Sequence, residues 1–324
     1  MPSRPDGLVT TDLDLALERL RAGGLVAIPT ETVYGLAADA EHPDAVARIF
    51  DVKGRPRDHP LIVHVAGLDH LDGWATDVPE SARILGSTCW PGPLTMLLAR
   101  GPRALDAVTG GRPTVGVRAP AHPMAHELLV RFGGGLAAPS ANRFGKVSPT
   151  TAAHVLDDLA GHLEPGRDAI LDGGPSMVGV ESTIVDLTVE PPQVLRAGAI
   201  DAAEIGRLLS SPVADPSGPS RASGMLEAHY EPDCLVILAE SADAARERVG
   251  VATAAGRRAD VLDRTDDVVV AAQRLYADLR AADERGLDEL VVVLPAPTGI
   301  GLAVRDRLTK AAAGGARRRS SRDD

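Results

Sequence analysis

A stretch rich in Ser, Pro and Gly at residues 211–224 (SPVADPSGPSRASG) constrains the fold more than any other feature of the sequence. It carries no helical or strand periodicity and reads as a linker. It divides the 324 residues into a first unit, 1–210, a linker or lid, 211–233, and a smaller second unit, 234–313. The remaining tail, 314–324 (GGARRRSSRDD), is expected to be disordered. Two units agree with roughly 100–200 residues per domain.

Within the first unit, strands and helices are mixed. Leu13, Leu17 and Leu20 share a face of a helix at 12–23 that stops at Gly23-Gly24. Further helices are predicted at 43–52, 79–88, 123–132, 150–159 and 201–209, with Thr150 and Asp201 as N-caps. Strands are predicted at 25–29, 61–65, 94–99, 114–118, 136–139, 169–172, 182–187 and 193–195. Beyond the linker the pattern changes to strict alternation. Strands at 234–239, 259–262 and 290–294 precede helices near 241–249, 266–284 and 301–313, which gives a small parallel α/β layer. No internal repeat is present.

Aromatic residues are 2% of the chain, so the core rests on Val, Leu, Ile and Ala. No run approaches the ~18–20 apolar residues of a membrane span. The first 20 residues lack a basic-then-apolar signal layout, and the expected location is the cytoplasm. Cys89 and Cys234 are too few and too far apart for a disulfide framework or a cysteine-rich zinc site. The net charge of −11 argues against wrapping a nucleic-acid backbone. Of 34 basic residues only Lys53, Lys146 and Lys310 are lysines, which makes each slightly more informative than the surrounding arginines.

Familiar motifs fail in detail. Gly145-Lys146 is followed by Val147, where a P-loop needs Ser or Thr. Gly133-x-Gly135-x-x-Ala138 precedes a strand instead of opening a helix, and Gly299-x-Gly301 lacks a third glycine. His122 and His126 have no intervening Glu and no third ligand. Ser140 sits in no nucleophile elbow.

Polar residues at strand ends are the stronger signal, because ligands of open α/β sheets gather where strands give way to loops. Five segments qualify. Pro29–Leu36 ends a buried strand in Thr30, Glu31, Thr32 and Tyr34. Lys53, Arg55 and Arg57 precede a strand that carries His64. Arg118 closes the strand that Thr114 begins, with its side chain opposite Val115 and Val117, and could fork a carboxylate. Ala137–Asn142 and Ser148–Thr150 offer Ser140, Asn142, Ser148 and a backbone open to close approach at Ala138. The last segment brings Glu181-Ser182-Thr183 and Arg196. Each also has an ordinary reading as a capped turn, surface ion pair or satisfied core residue. Together they give several cations, many hydroxyls and few carboxylates. That suits a nucleotide plus a small polar molecule, not a two-carboxylate glycosidase or a protein metal cage.

In the same order, PTETVYGLAADA (29–40), KGRPRDHPLIVHV (53–65), WPGPLTMLL (90–98), TVGVRAPAHP (114–123), AAPSAN (137–142), SPT (148–150), GVESTIVDL (179–187) and LRAG (195–198) resemble the YrdC-like family of L-threonylcarbamoyladenylate synthases. Gly224-Met225-Leu226-Glu227-Ala228-His229-Tyr230-Glu231-Pro232 and the helix around 299–308 resemble the long form with an extra C-terminal domain. The resemblance implies a twisted mixed-sheet domain with a deep cavity and a smaller Rossmann-like parallel α/β domain. It implies that L-threonine, bicarbonate or CO2 and ATP give threonylcarbamoyl-AMP and pyrophosphate. Mg2+ would accompany ATP, with no protein side chain assigned to it. The product would pass to a separate tRNA threonylcarbamoyl transferase complex for modification of tRNA position 37.

By the same resemblance, Thr32, His64, Arg118, Ser182 and Ala138 would contact threonine. Lys53, Arg55, His59, Thr114, Ser140, Asn142, Ser148, Arg196 and Tyr230 would form the ATP site, with Tyr230 closing over the nucleotide. The family also brings an association with double-stranded RNA, whereas the net charge argues that direct tRNA binding is weak or absent. His59 stands where many members have Asn, Ser223 where Pro is usual and Asp306 where Asn is common, and Leu226-Glu227-Ala228 lacks the usual aromatic and basic residues. Two other classes stay open on the residues alone. One is an RNA-binding or ribosome-assembly factor built on the same cavity. The other is a carbamoyl-transfer enzyme of hydrogenase maturation, which needs zinc-binding cysteines that two cysteines cannot supply.

Overall fold

A computed structural model describes residues 7–218, 222 and 230–323. The first unit contains β1 (Val9–Thr10), α1 (Leu13–Arg21), β2 (Val26–Ile28), β3 (Gly35–Asp39), α2 (Pro43–Lys53), β4 (Ile62–His64), α3 (Glu80–Cys89), β5 (Leu94–Ala99) and α4 (Asp106–Thr109). It continues with β6 (Thr114–Arg118), α5 (Pro123–Phe132), β7 (Leu136–Ala137), α6 (Ala152–Leu159), β8 (Ala169–Leu171), β9 (Thr183–Asp186), β10 (Gln193–Arg196) and α7 (Ala202–Leu209). The second unit is β11 (Leu235–Ala239), α8 (Ala242–Ala254), β12 (Ala259–Leu262), α9 (Val268–Glu284), β13 (Glu289–Val293) and α10 (Ile300–Asp323).

Ten strands form one mixed sheet in the order β1-β8-β2-β3-β7-β4-β6-β5-β9-β10. Next to its centre lies the parallel pair β4–β6, which sets His64 opposite Arg118. One face of β6 is apolar, with Val115 and Val117 in the main core, so Arg118 leaves on the other face. The second sheet, β11-β13-β12, is all parallel, as the alternating pattern predicts.

The two units share a core. Val33, Val147 and Val180 of the first unit pack in one cluster with Tyr276, Leu279, Val304 and Leu308 of the second. The C-terminal unit is therefore seated on the loops that end the first unit's strands.

Several local readings change. The N-cap of α6 is Thr151, whose hydroxyl accepts the amide of His154; Thr150 stands one residue earlier. α10 continues through Asp323 instead of stopping near 313, so the segment read as a disordered tail continues the helix. The Ala-rich stretch Ala311–Ala313 favours helix strongly enough to carry it across Gly314-Gly315. Strand β3 has no counterpart in the sequence reading, because GLAAD lacks the β-branched residues that mark a strand. The linker motif residues Ser223 to His229 lie outside the described residues.

Candidate active site

Strand ends β2, β4 and β6 and the loops after β7 and before β9 converge on one cavity. Its walls include Thr30, Thr32, Arg55, His64, Arg118, Ala138, Ser140, Glu181, Ser182, Arg196 and Tyr230. Ten of the fourteen residues expected in the two substrate sites are thus accounted for in or against this wall, once Ser148 is included through its bond to Glu181.

Arg118 is 4% exposed. Its Nη1 donates to Thr32 Oγ1 at 2.8 Å and its Nε to the Gly92 carbonyl at 3.2 Å. Nη2 lies 2.7 Å from Glu31 Oε1, an ion pair out of hydrogen-bond alignment. The guanidinium is thus held flat at the cavity wall, with a carboxylate already beside it. Beside it His64 is buried, and its Nδ1 has no hydrogen-bond partner among the described residues. Burial first, and the Arg118 charge second, push His64 down to about 3, so the imidazole is neutral at physiological pH.

Ser182 Oγ shares a 2.8 Å hydrogen bond with Thr95 Oγ1 and accepts Arg196 Nη2 at 3.0 Å. Arg196 Nε also donates to the Ser182 carbonyl at 3.0 Å. Arg55 donates to the Pro60 carbonyl at 3.0 Å and lies over the Phe144 ring. Burial and the charge of Arg196 lower Arg55 to about 10. Two guanidiniums that repel each other across a cavity make an anion site.

Other predicted residues stand behind the wall. Lys53 is 2% exposed, and its ammonium donates to the Ser140 carbonyl at 2.5 Å and to the Asn142 carbonyl. It fastens the 140–142 loop from below, and burial draws its pKa well down. Asn142 Nδ2 donates to the carbonyls of Arg143 and Lys146, each at 2.8 Å, and closes the same loop. His59 packs edge-on to Phe144, and burial lowers its pKa. Thr114, at the far end of β6, lines a separate hollow with Thr95, Ile184 and Ala222; Ile62 separates the two spaces. The other two lysines form ion pairs, Lys146 with Asp233 and Lys310 with Asp306. His122 caps α5 and faces the Gly173 carbonyl.

Carboxylates are few at the site, as the segments suggest: Glu181 lies in the cavity wall and Glu31 stands against Arg118, each paired with an arginine. Glu181 accepts Ser148 Oγ at 2.6 Å on Oε1, and Tyr276 OH at 2.7 Å and Arg307 Nε at 2.9 Å on Oε2. Burial opposes its charge, but Arg307 and Arg196 outweigh burial and hold it at about 2. Tyr230 is 1% exposed, stacked on Tyr276 with centroids 5.5 Å apart, and the Arg307 guanidinium lies 5.4 Å from its ring centroid. Its φ of 63° is strained for a tyrosine. Thr95, Arg307 and Tyr276 escaped the sequence reading. Thr95 sits inside an apolar strand, and the other two lie in the second unit.

Comparison with known proteins identifies the family. The Sua5/YciO/YrdC family profile, described as "Telomere recombination", matches residues 18–198. The profile described as "Threonylcarbamoyl-AMP synthase, C-terminal domain" matches 199–313. The threonylcarbamoyl-AMP synthase of Pyrococcus abyssi is 40% identical over 314 residues, covering 90% of this chain and 91% of its own. That of Bacillus subtilis is 38% identical over 335 residues, covering 95% and 96%. The crystal structure of P. abyssi Sua5 complexed with L-threonine matches with a TM-score of 0.87 at 38% identity, over 94% of each chain. With both profiles matched in order and the relatives aligned almost end to end, the chain belongs to the two-domain Sua5 family of threonylcarbamoyl-AMP synthases.

Proposed function

We propose that this chain makes L-threonylcarbamoyl-AMP and pyrophosphate from L-threonine, bicarbonate or CO2 and ATP, in the cytoplasm, and that the product serves the modification of tRNA position 37 through a transferase complex. One observation carries the reading: Arg118, His64, Thr32 and Ser182 line the same cavity as the guanidiniums of Arg55 and Arg196. The first group suits a small amino acid, with Arg118 for its carboxylate. The second suits a triphosphate. The relative crystallised with L-threonine supports the same assignment.

The threonine ammonium loses one proton to water, and the freed amine adds to the carbon of CO2. The N–C bond forms as one C=O π bond opens onto its oxygen, and a second nitrogen proton leaves to water. A carbamate oxygen then attacks the α-phosphorus of ATP. The new O–P bond forms as the bond to the bridging oxygen breaks, and pyrophosphate departs. A carbamate is already an anion and needs no strong base. The task of the protein is to hold two anions in line against their repulsion. Arg118, Arg55 and Arg196 supply the positive charge for that. Neutral His64 adds a hydrogen bond without adding to the charge. Tyr230 closes the nucleotide end and keeps water out. Among the described residues no group of three or more His, Cys, Asp or Glu side chains is arranged for a metal. Mg2+ would come with ATP as part of the substrate, and its charge would offset that of the phosphates.

The test is pyrophosphate release from ATP with threonine and bicarbonate omitted in turn. Release that needs both, and falls at least about a hundredfold in Arg118→Ala, supports the reading. Release indifferent to threonine overturns it.

A further inference from the structure

The geometry points to Arg307, on α10 of the C-terminal unit, as a positioning residue that neutralises Glu181 and thereby keeps the catalytic cavity able to accept a triphosphate. The inference rests on the proposed use of ATP and adds what the second domain contributes.

Arg307 is fully buried, although it lies 126 positions from its partner Glu181. Its three nitrogens are all engaged: Nε with Glu181 Oε2, Nη2 with the Ala197 carbonyl at 2.9 Å and Nη1 with Asp306. Its flat face lies against Tyr230. One side chain from the second unit thus touches a cavity-wall carboxylate, the residue after Arg196 and the tyrosine that closes the wall. The ordinary reading is a buried salt bridge that glues two domains. Position argues for more than that. Glu181 shares the cavity wall with Arg196, where a polyphosphate would lie. An ionised carboxylate there opposes the ligand's charge, and in a low-dielectric wall such opposition is large. Arg307 cancels it from behind, on the side away from solvent, and so leaves Arg55 and Arg196 to act on the phosphates.

A charge role and a glue role differ in sign. Arg307→Met leaves Glu181 anionic with only Arg196 to offset it, which draws Arg196 away from the phosphates, and the KM for ATP should rise about tenfold. Glu181→Gln removes the anion while Arg307 stays, and the KM for ATP should fall. The glutamine can turn its oxygen to Arg307 and Tyr276 and its amide to Ser148, so the fold is kept. The double variant Glu181→Gln/Arg307→Met restores neutrality, and its KM for ATP should return to within about threefold of wild type. The KM for threonine should hold steady throughout.

Thermal melting accompanies each variant. If Arg307→Met does not fold, the comparison of wild type, Glu181→Gln and the double variant still decides. A glue role predicts that Glu181→Gln weakens ATP use and that the double variant is worse. Either result, or equal shifts in both KM values, overturns the inference. Wild type that shows no threonine-dependent pyrophosphate release would instead sink the proposed function, and ATP binding by calorimetry in the same four proteins would still report on Arg307.

Discussion

Glu31 Oε1 lies 2.7 Å from Nη2 of Arg118, so the guanidinium expected to bind the substrate carboxylate already has a carboxylate beside it. Both groups are buried, and a broken buried pair leaves one charge unopposed. Arg118→Ala should cost about 3–5 kcal/mol of stability as well as activity. Adding Glu31→Gln removes the stranded charge. The double variant should regain most of the melting temperature and none of the turnover. If turnover returns with stability, Arg118 is a structural residue and not a carboxylate clamp.

His64 ties stability to acid. Its pKa is lowered from 6.5 to about 3 in the folded protein, so the unfolded chain binds the extra proton between those values. The contribution is fully present above pH 6.5 and is lost as the pH falls towards 3. Denaturant unfolding at several pH values should show a slope in that window which flattens in His64→Gln. The slope will not vanish, because His154 is also lowered, to about 4, by burial and by Arg280. A slope unchanged in the variant would mean that His64 is not the buried neutral group described.

Much of the architecture was legible because strand and helix leave different periods. The apolar runs at 94–99 and 114–118 and the helix at 123–132 match the observed elements to the residue. The site was legible one wall at a time, since Thr32, His64, Arg118, Ser182 and Arg196 each mark a strand end. What stayed hidden was pairing across distance. Glu181 stood in a quoted motif, but nothing in a linear pattern joins it to Arg307 or Tyr276. Lys53 shows the same limit: the resemblance places it at the ATP phosphates, while nothing in the linear pattern joins it to the Ser140 and Asn142 carbonyls to which it donates.

That placement makes Lys53 testable. Lys53→Met strands the carbonyls of Ser140 and Asn142 in a buried setting, at about 1–3 kcal/mol for each unsatisfied group. Backbone amides of the 139–147 loop should exchange with solvent faster in Lys53→Met and not in Arg55→Met, whose side chain faces the cavity. Equal protection in wild type and Lys53→Met would return Lys53 to a direct role with the ligand.

Gly179 tests the seating of the second unit. Its φ is +81°, and a Cβ there would stand 2.3 Å from the Ala272 carbonyl oxygen and 2.4 Å from the Gln273 Cα, both backbone atoms of α9. Backbone cannot swing aside as a side chain does, so Gly179→Ala must push α9 away or distort the 174–181 loop. Either movement pulls Tyr276, on α9, from Glu181, two residues beyond Gly179. The variant should lose at least about 1–3 kcal/mol of stability. Its KM for ATP should rise more than its KM for threonine, because Glu181 and Tyr230 stand at the proposed nucleotide end while Arg118 is held separately by Thr32, Gly92 and Glu31. A matching substitution at Gly161, where a Cβ meets nothing within 4 Å, controls for the added methyl. Equal shifts in both KM values would mean that the second unit supports the whole cavity alike.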